Sequence, residues 1–260
     1  LVTFTGKTGH AASPWTGRSA LDGVELMNIG TNFLREHLHF STRMHYVIIE
    51  GGEAPNVMPD KATVWYFIRS NDDMLDEIFQ KVLDCAKGAA IMSGTEYEVK
   101  ILTGIHQSYK NKVLAETYQK NIERVGMPEW TEEEQNFVKE LQKQLGYSQT
   151  GLRTEVSKLG GPPAVFTGGG STDVGTVSLY RPTASISFPS GASVDSHHWT
   201  VVAVTGTSIA HKGLIAGAKA MALSAIDLLT VPEILEAAWE EFNEMQKEHP
   251  FFSRLPEGAK

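Results

Sequence analysis

The order of strand and helix patterns over residues 1–103 is the feature that most restricts how this chain can fold. Residues 1–8 have the composition of a strand, and a helical pattern follows them. The apolar residues of this helix recur at spacings of three, four or seven, at Ala20, Val24, Met27, Leu34 and Leu38. A strand that leads directly into an amphipathic helix indicates a mixed fold with the helix packed on a sheet.

The same region continues with two strands, a second helix and a last strand. The strand segments read MHYVIIEGG and KATVWYFIRS, and a helix with Leu75, Ile78 and Val82 on one face follows them. Gly94 is placed to end this helix, and TEYEVKILTG has the pattern of a strand. The order β-α-β-β-α-β is that of a ferredoxin-like unit. We therefore predict a complete ferredoxin-like domain over residues 1–103.

The pattern changes over residues 104–260. It predicts two amphipathic helices, a Gly- and Pro-rich stretch, a short strand, a long helix of small residues and an acidic helix, at 112–125, 131–145, 158–175, 183–191, 208–229 and 233–248. So few strands cannot form a stable α/β sheet alone. We therefore expect this half to be part of an α/β domain whose remainder precedes Leu1, a residue that already lies inside a strand pattern.

Composition excludes several classes of function. The chain of 260 residues has a net charge of −8 and no basic cluster, which argues against binding to nucleic acids or anionic membranes. We recognise no apolar run long enough to span a bilayer and no signal peptide. Cys85 is the only cysteine, so an internal disulfide is excluded and a cytoplasmic location is expected.

Three polar residues of the first domain are candidates for a functional site. His10 lies among small residues in GHAAS and is either a solvated loop residue or a presented catalytic group. Asn56 lies in a proline-bounded loop, which is either a simple hairpin turn or a rigid support for an amide that donates to an oxyanion. Arg69 ends an apolar strand and could bind a substrate carboxylate or pair with a neighbouring acid.

Two motifs in the second half are also candidates for a functional site. TGGGSTDVG lacks the spacing and the lysine of a phosphate-binding loop, so its glycines more plausibly let the backbone approach a ligand, with Ser171 or Thr172 capping a short helix. In SHHW, His197 and His198 point in opposite directions if the backbone is extended, so only one of them would bind a given metal. No GxSxG motif supports a serine hydrolase.

Taken together, four segments resemble one enzyme family in order and spacing. The segments are GKTGHAASPWTGRSALDGVEL, GGEAPNVMPDKATVWYFIRS, GGGSTDVG and SHHW. They resemble the metal-dependent amidohydrolases and peptidases that include aminoacylase, hippurate hydrolase and glutamate carboxypeptidase. The resemblance implies that residues 1–103 are a lid and dimerisation domain, and that residues 104–260 are the C-terminal part of a dinuclear-metal α/β hydrolase domain.

The resemblance also implies a role for each candidate residue. His10 matches the lid histidine that reaches the partner subunit's active site and polarises the scissile carbonyl, and Asn56 matches the lid asparagine that contacts substrate there. Arg69 matches an arginine that binds the substrate carboxylate. The substrate pocket would be lined by Gly168, Gly169 and Gly170. His197 matches a metal ligand, with His198 as the alternative.

The activity implied is hydrolysis of the amide bond of an N-acyl amino acid, such as p-aminobenzoyl-glutamate, a related conjugate or a dipeptide. Two divalent ions, zinc or manganese, would bind each complete subunit, and most of their ligands would lie outside this chain. The expected assembly is a homodimer formed through residues 1–103, or a pair with a related second subunit. The alternative is a dimerisation or ligand-binding module from the same family that has no catalytic activity, and this chain alone is expected to be inactive.

Overall fold

The computed structural model describes residues 1–161, 170–194 and 197–256. Contacts between Cα atoms divide the chain into two compact units. The first contains Leu1–Ser108 with described residues from Pro163–Thr176 and Phe252–Lys260. The second contains Tyr109–Pro162 and Val177–Phe251.

The first unit is built around a four-stranded antiparallel sheet with the strand order β3-β5-β1-β6. Its elements are β1 (Val2–Thr5), β2 (Gly9–His10), α1 (Ala20–Leu34), β3 (Arg43–Glu50), β4 (Val57–Met58), β5 (Lys61–Arg69), α2 (Asp72–Ser93) and β6 (Glu96–Val99). The predicted β-α-β-β-α-β order is confirmed. The two-residue strands β2 and β4 are additional and pair with each other in a separate ladder.

Local signals explain where the two helices of this unit begin and end. The Ser19 side chain caps α1 by accepting the N–H of Asp22, and Gly94 ends α2 in the left-handed conformation at φ 65°. The prediction that the first helix reaches Leu38 is wrong, because α1 ends at Leu34 and a 3₁₀ turn follows it. Leu38 nevertheless packs against the core, which accounts for its place in the apolar pattern.

The core of the first unit lies between the sheet and the two helices. Phe4 is fully buried against α1, where Gly23 allows the helix to approach closely. A Cβ atom on Gly23 would lie only 2.5 Å from Cδ1 of Phe4. The buried residues around this contact are Val2, Ala20, Val24, Met27, Met44, Ala62, Val64, Val82, Ala86 and Ala89. Burial of this apolar surface is the main force that holds the sheet to its helices.

The second unit consists of helices in its described parts. They are α3 (Lys112–Val125), α4 (Glu132–Gln144), α6 (Trp199–Thr205), α7 (Ser208–Thr230) and α8 (Pro232–Glu248). The four-residue helix α5 (Val174–Val177) precedes α6 in the chain, and all of its residues but Val177 belong to the first unit. The four long predicted helices are present within one or two residues of their expected ends. α7 packs against α3, α6 and α8. A second core contains Val138, Leu141, Leu152, Ala192, Val204 and Ile209.

The prediction of a strand at residues 183–191 is wrong. These residues are described, and they form neither a strand nor a helix. A strand needs a neighbour to satisfy its backbone hydrogen bonds, and the described part of the second unit contains no other strand. The segment TASISFPSG therefore has the alternating polar and apolar pattern of a strand, but it has no neighbouring strand to pair with in the described part of its unit.

The expectation that no segment could span a bilayer also needs correction. α7 is long and apolar enough to do so by length and composition, with a mean hydropathy of 1.4 over an 18-residue window. Long core helices of soluble proteins have the same property, and α7 packs against three other helices of its unit. Many residues of α7 are small, and for this reason its apolar stretch is difficult to recognise in the sequence.

Candidate functional site

The loop that carries His10 is held at both of its ends. Lys7 and Arg18 exchange two backbone hydrogen bonds of 2.8 Å, which close the loop at its base. A Cβ atom on Gly6 would lie 2.2 Å from the carbonyl oxygen of Arg18, so only glycine fits beside this closure. The loop therefore presents its residues from a fixed base.

The structure brings His10 and Asn56 together. His10 lies opposite Val57 in the short β2–β4 ladder, and the N–H of Ala11 donates to the carbonyl oxygen of Asn56 at 3.0 Å. The side chains of His10 and Asn56 are both exposed. Two residues 46 positions apart in the sequence are thus brought next to each other by the backbone, and both are exposed.

A backbone hydrogen bond determines which ring nitrogen of His10 can donate. The N–H of Ala12 donates to Nδ1 of His10 at 3.0 Å. Because a backbone N–H can only donate, Nδ1 must be the acceptor, and the neutral ring carries its proton on Nε2. The exposed Nε2–H is therefore a hydrogen-bond donor, which is the group needed to polarise a carbonyl or to stabilise an oxyanion.

Arg69 lies at the opposite end of β5 from the His10–Asn56 pair. β5 has nine residues and begins at Lys61, directly after the β4 loop. At a rise of about 3.3 Å per residue, the two ends of the strand are about 26 Å apart. The structure therefore does not bring Arg69 together with His10 and Asn56 within one chain.

Arg69 lines a cavity of about 390 Å³ in the first unit. The guanidinium of Arg69 lies over the ring of Phe67, 5.3 Å from its centroid. Most of the other lining residues are apolar, including Trp65, Ile68, Leu75, Phe79, Leu83, Val99 and Leu102. Ser171, from the glycine-rich motif, also lines the cavity. An apolar cavity with few charged groups is typical of a site for a small molecule.

The charges around this cavity favour an anion. Among the described residues, three cationic side chains line it, from Arg69, Lys100 and Arg254, against one carboxylate, from Asp76. Asp76 pairs with Arg254, which also pairs with Asp72 at 3.3 Å. Arg69 and Lys100 therefore remain as the cations facing a ligand. Nothing in the sequence suggested Arg254, because it comes from the last turns of the chain, nearly 180 residues after Asp76.

The glycine-rich motif is described only in part. Gly168 and Gly169 lie outside the described residues. At Gly170 a Cβ atom would meet nothing within 4 Å, so no close contact there requires glycine in this structure. Thr172 lies two residues before the short helix α5, and its Oγ1 accepts the N–H of Val174, the first residue of that helix, at 3.4 Å.

The two adjacent histidines have different surroundings. His198 caps α6: its Nδ1 accepts the N–H of Thr200 at 3.4 Å and lies 3.0 Å from Oγ1 of the same residue. His197 is exposed and has a left-handed backbone, with φ of 63°. Such a conformation is strained for a residue other than glycine, and strain of this kind is concentrated at functional sites. His197 is thus the histidine with an imidazole available to an outside group.

The described residues do not assemble a whole metal site. Residues 1–161, 170–194 and 197–256 contain no group of three or more His, Cys, Asp or Glu side chains placed to hold a metal ion. The exposed imidazole of His197 fits the role of one ligand, because zinc and manganese both accept neutral imidazole.

Comparison with known proteins identifies relatives of the chain. Residues 1–91 match the peptidase dimerisation domain family. The chain is 34% identical, over 98% of its length, to one of the subunits of p-aminobenzoyl-glutamate hydrolase from Escherichia coli, and 29% identical, over 98%, to human Xaa-Arg dipeptidase. It spans 59% and 52% of these two proteins, and so only a little over half of their length.

Solved structures give a weaker match. The crystal structure of an aminobenzoyl-glutamate utilization protein from Klebsiella pneumoniae aligns with 48% of this chain and 32% of its own, at 22% identity and a TM-score of 0.40. The sequence relationships, which extend along nearly the whole chain, carry the assignment. Residues 1–91 match the model of the peptidase dimerisation domain, and the chain is similar in sequence, along nearly its whole length, to an amidohydrolase subunit and a dipeptidase.

Proposed function

We propose that this chain is the lid and C-terminal catalytic part of a metal-dependent amidohydrolase that cleaves N-acyl amino acids. In this proposal residues 1–103 are the lid, and residues 104–260 are the C-terminal part of the catalytic domain. The observation that carries it is the hydrogen bond from Ala12 to Nδ1 of His10, which makes the exposed Nε2–H a donor. Such a donor stabilises the oxyanion that forms as water attacks an amide carbonyl.

The geometry of β5 supports a dimeric active site. An N-acyl amino acid is about the size of two residues, which span at most about 7 Å. The two ends of β5 are far more than that apart, so His10 and Arg69 of one chain cannot contact the same substrate. If both act on one substrate, His10 and Asn56 must be supplied by one subunit and Arg69 by the other.

An edge of the sheet supports the same assembly. β3 is an edge strand, and Val47, Ile48 and Ile49 are exposed on it. An unpaired apolar edge strand is a template for pairing with another chain. We propose a homodimer formed through residues 1–103, with pairing to a related second subunit as the alternative.

The cavity around Arg69 supports an acidic leaving group. One relative is named for p-aminobenzoyl-glutamate and another for Xaa-Arg dipeptides. Arg69 and Lys100 face the cavity, whereas Asp76 is paired with Arg254. An arginine side chain would meet like charges there, and a glutamate would meet opposite charges. We therefore propose p-aminobenzoyl-glutamate or a related acyl-glutamate as the substrate. We also propose that the protein acts in the cytoplasm.

The roles of the chain's own residues follow from these positions. Arg69 would hold the carboxylate of the amino-acid half through paired N–H donors, and Asn56 would support the acyl side. Nε2–H of His10 would donate to the carbonyl oxygen as it becomes an oxyanion. His197 would hold a divalent ion, zinc or manganese, which when bound supplies Lewis acidity and a water that is nucleophilic at neutral pH.

The test is an activity assay on the full-length protein that contains this chain. We expect it to release glutamate from p-aminobenzoyl-glutamate faster than it cleaves a dipeptide ending in arginine. A chelator should abolish turnover, and zinc or manganese should restore it. Binding of p-aminobenzoyl-glutamate without turnover, in protein loaded with either metal, would instead support the non-catalytic binding module.

A further inference from the structure

Trp15 is an aromatic residue whose exposure is explained neither by the fold nor by the roles proposed for His10, Asn56 and Arg69. It lies in the 3₁₀ turn Pro14–Thr16, and 75% of its surface is accessible. The turn contains no buried residue, so Trp15 contributes little to the core of its unit. A large exposed indole on the loop that carries His10 is a candidate for contact with a group that binds at this loop.

Hydrogen bonds hold this turn in place relative to His10. The N–H of Ser13 donates to the carbonyl oxygen of His10 at 2.8 Å. The carbonyl oxygen of Ser13 then accepts both the N–H of Thr16, at 3.1 Å, and its hydroxyl, at 2.8 Å. Trp15 and His10 therefore belong to one rigid loop.

The turn also packs against the strand that ends at His10. A Cβ atom on Gly9 would lie 3.2 Å from Oγ1 of Thr16 and 3.4 Å from the Cα of Gly17. Gly9 is the strand neighbour of His10, so the residue following Trp15 is folded back onto the β2 backbone. Val57, opposite His10 in the ladder, adds a second exposed apolar side chain to this end of the domain.

We propose that Trp15 determines specificity for the acyl half of the substrate by stacking on a planar aromatic acyl group. This inference rests on the proposed function. His10 donates to the carbonyl oxygen of the scissile amide, and the carbon of that carbonyl belongs to the acyl group. Side chains on the His10 loop therefore border the acyl half, while the Arg69 cavity receives the amino-acid half. The face of an indole ring is well suited to an aryl ring.

The experiment compares two substrates with one leaving group in the full-length, metal-loaded enzyme. The substrates are p-aminobenzoyl-glutamate, with an aromatic acyl group, and N-acetyl-glutamate, with a small aliphatic one. The variants are Trp15→Ala and Trp15→Phe. Phe137→Ala, which removes an exposed aromatic residue from α4, is the matched control.

We expect Trp15→Ala to raise KM for p-aminobenzoyl-glutamate about tenfold, because one aromatic stacking contact has this magnitude. A contact with the acyl group is present in both the ground state and the transition state, so kcat should change little. N-acetyl-glutamate kinetics should be unchanged, Trp15→Phe should restore most of the preference, and Phe137→Ala should behave like the wild type.

Any one of four results would overturn the inference. An equal loss on both substrates, or a loss of the dimer on a sizing column, would show that Trp15 supports the loop or the subunit interface instead. Unchanged kinetics on both substrates would show that it has no contact with the acyl group. A wild-type enzyme inactive on both substrates would refute the proposed function itself, and with it this role for Trp15.

Discussion

The backbone N–H of Ala12 donates a hydrogen bond to Nδ1 of His10, and this contact determines that Nε2 is the ring nitrogen that can donate. The neutral imidazole carries its remaining proton on Nε2, and His10 is an exposed residue. The first unit thus presents a hydrogen-bond donor held by backbone geometry rather than by another side chain, so its orientation does not depend on a neighbouring titratable group.

Replacement of His10 should affect the rate more than binding. In the full-length enzyme we expect His10→Ala to lower kcat by on the order of 10²–10³, the usual cost of losing one oxyanion donor. KM should change much less, because the bond strengthens as charge develops in the transition state. Steady-state kinetics measure both constants, with replacement of another exposed histidine of the first unit, His37→Ala, as the control. A kcat near that of the wild type would rule out the role.

The two adjacent histidines should separate into a metal ligand and a helix cap. We expect His197→Ala to lower the metal content of the full-length protein by elemental analysis and to abolish activity. His198→Ala should retain the metal and lower the free energy of unfolding by about 1 kcal/mol, since a helix N-cap is lost. Metal loss in His198→Ala, with His197→Ala unaffected, would reverse the assignment.

Arg69 should contribute to binding of the amino-acid half. Charge-assisted hydrogen bonds contribute about 1.5–3 kcal/mol, so we expect Arg69→Ala to raise KM for p-aminobenzoyl-glutamate by about 10- to 100-fold. Arg69→Lys should recover only part of the affinity, because an ammonium group cannot form the paired contact. Arg43→Ala is the matched control: Arg43 faces Arg69 across the β3–β5 ladder but does not line the cavity. Equal effects of the two Ala variants would argue against the cavity as the binding site.

Glu134 should make the second unit sensitive to acid. Its side chain is 9% exposed; burial by itself raises its pKa, but hydrogen bonds from Lys212, Ser208 and the backbone of Thr131 lower that pKa to about 2. The folded-state pKa lies below the ordinary value of 4.5. Its stabilisation is therefore complete above pH 4.5 and is lost as the pH falls towards 2.

The check for Glu134 is thermal unfolding between pH 2 and 6, with Glu134→Gln as the variant. Glutamine keeps the capping interaction with Thr131 but does not titrate. We expect the wild type to lose its stability advantage over Glu134→Gln as the pH falls through this range. A difference in Tm that does not vary with pH would contradict the ion pair with Lys212.

Periodicity and caps made the helices predictable, whereas contacts distant in sequence did not. α3 has the predicted bounds, Lys112–Val125, because Asn111 caps its start and its apolar face is regular. β2 and β4 have two residues each, too few for a pattern of alternation, so their ladder could not be foreseen. Yet this ladder is what places Asn56 beside His10.

The sequence indicated which residues are candidates for a functional site, but it did not indicate how they are arranged relative to one another. His10, Asn56 and Arg69 stood out by their setting in loops and at a strand end. The separation of Arg69 from the other two follows from the length and register of β5. The pairing of Arg254 with Asp76 depends on the return of the chain's last described residues to α2.

The most direct test of a shared active site is complementation between two inactive variants of the full-length enzyme. His10→Ala lacks the donor, and His197→Ala lacks a metal ligand. If His10 serves the partner's site, each mixed dimer contains one intact site, so an equal mixture after subunit exchange should reach about a quarter of the wild-type activity, since half of the dimers are mixed. If His10 acts within its own subunit, no intact site can form. Activity that stays at the level of the separate variants, with mixed dimers present, would contradict the proposal.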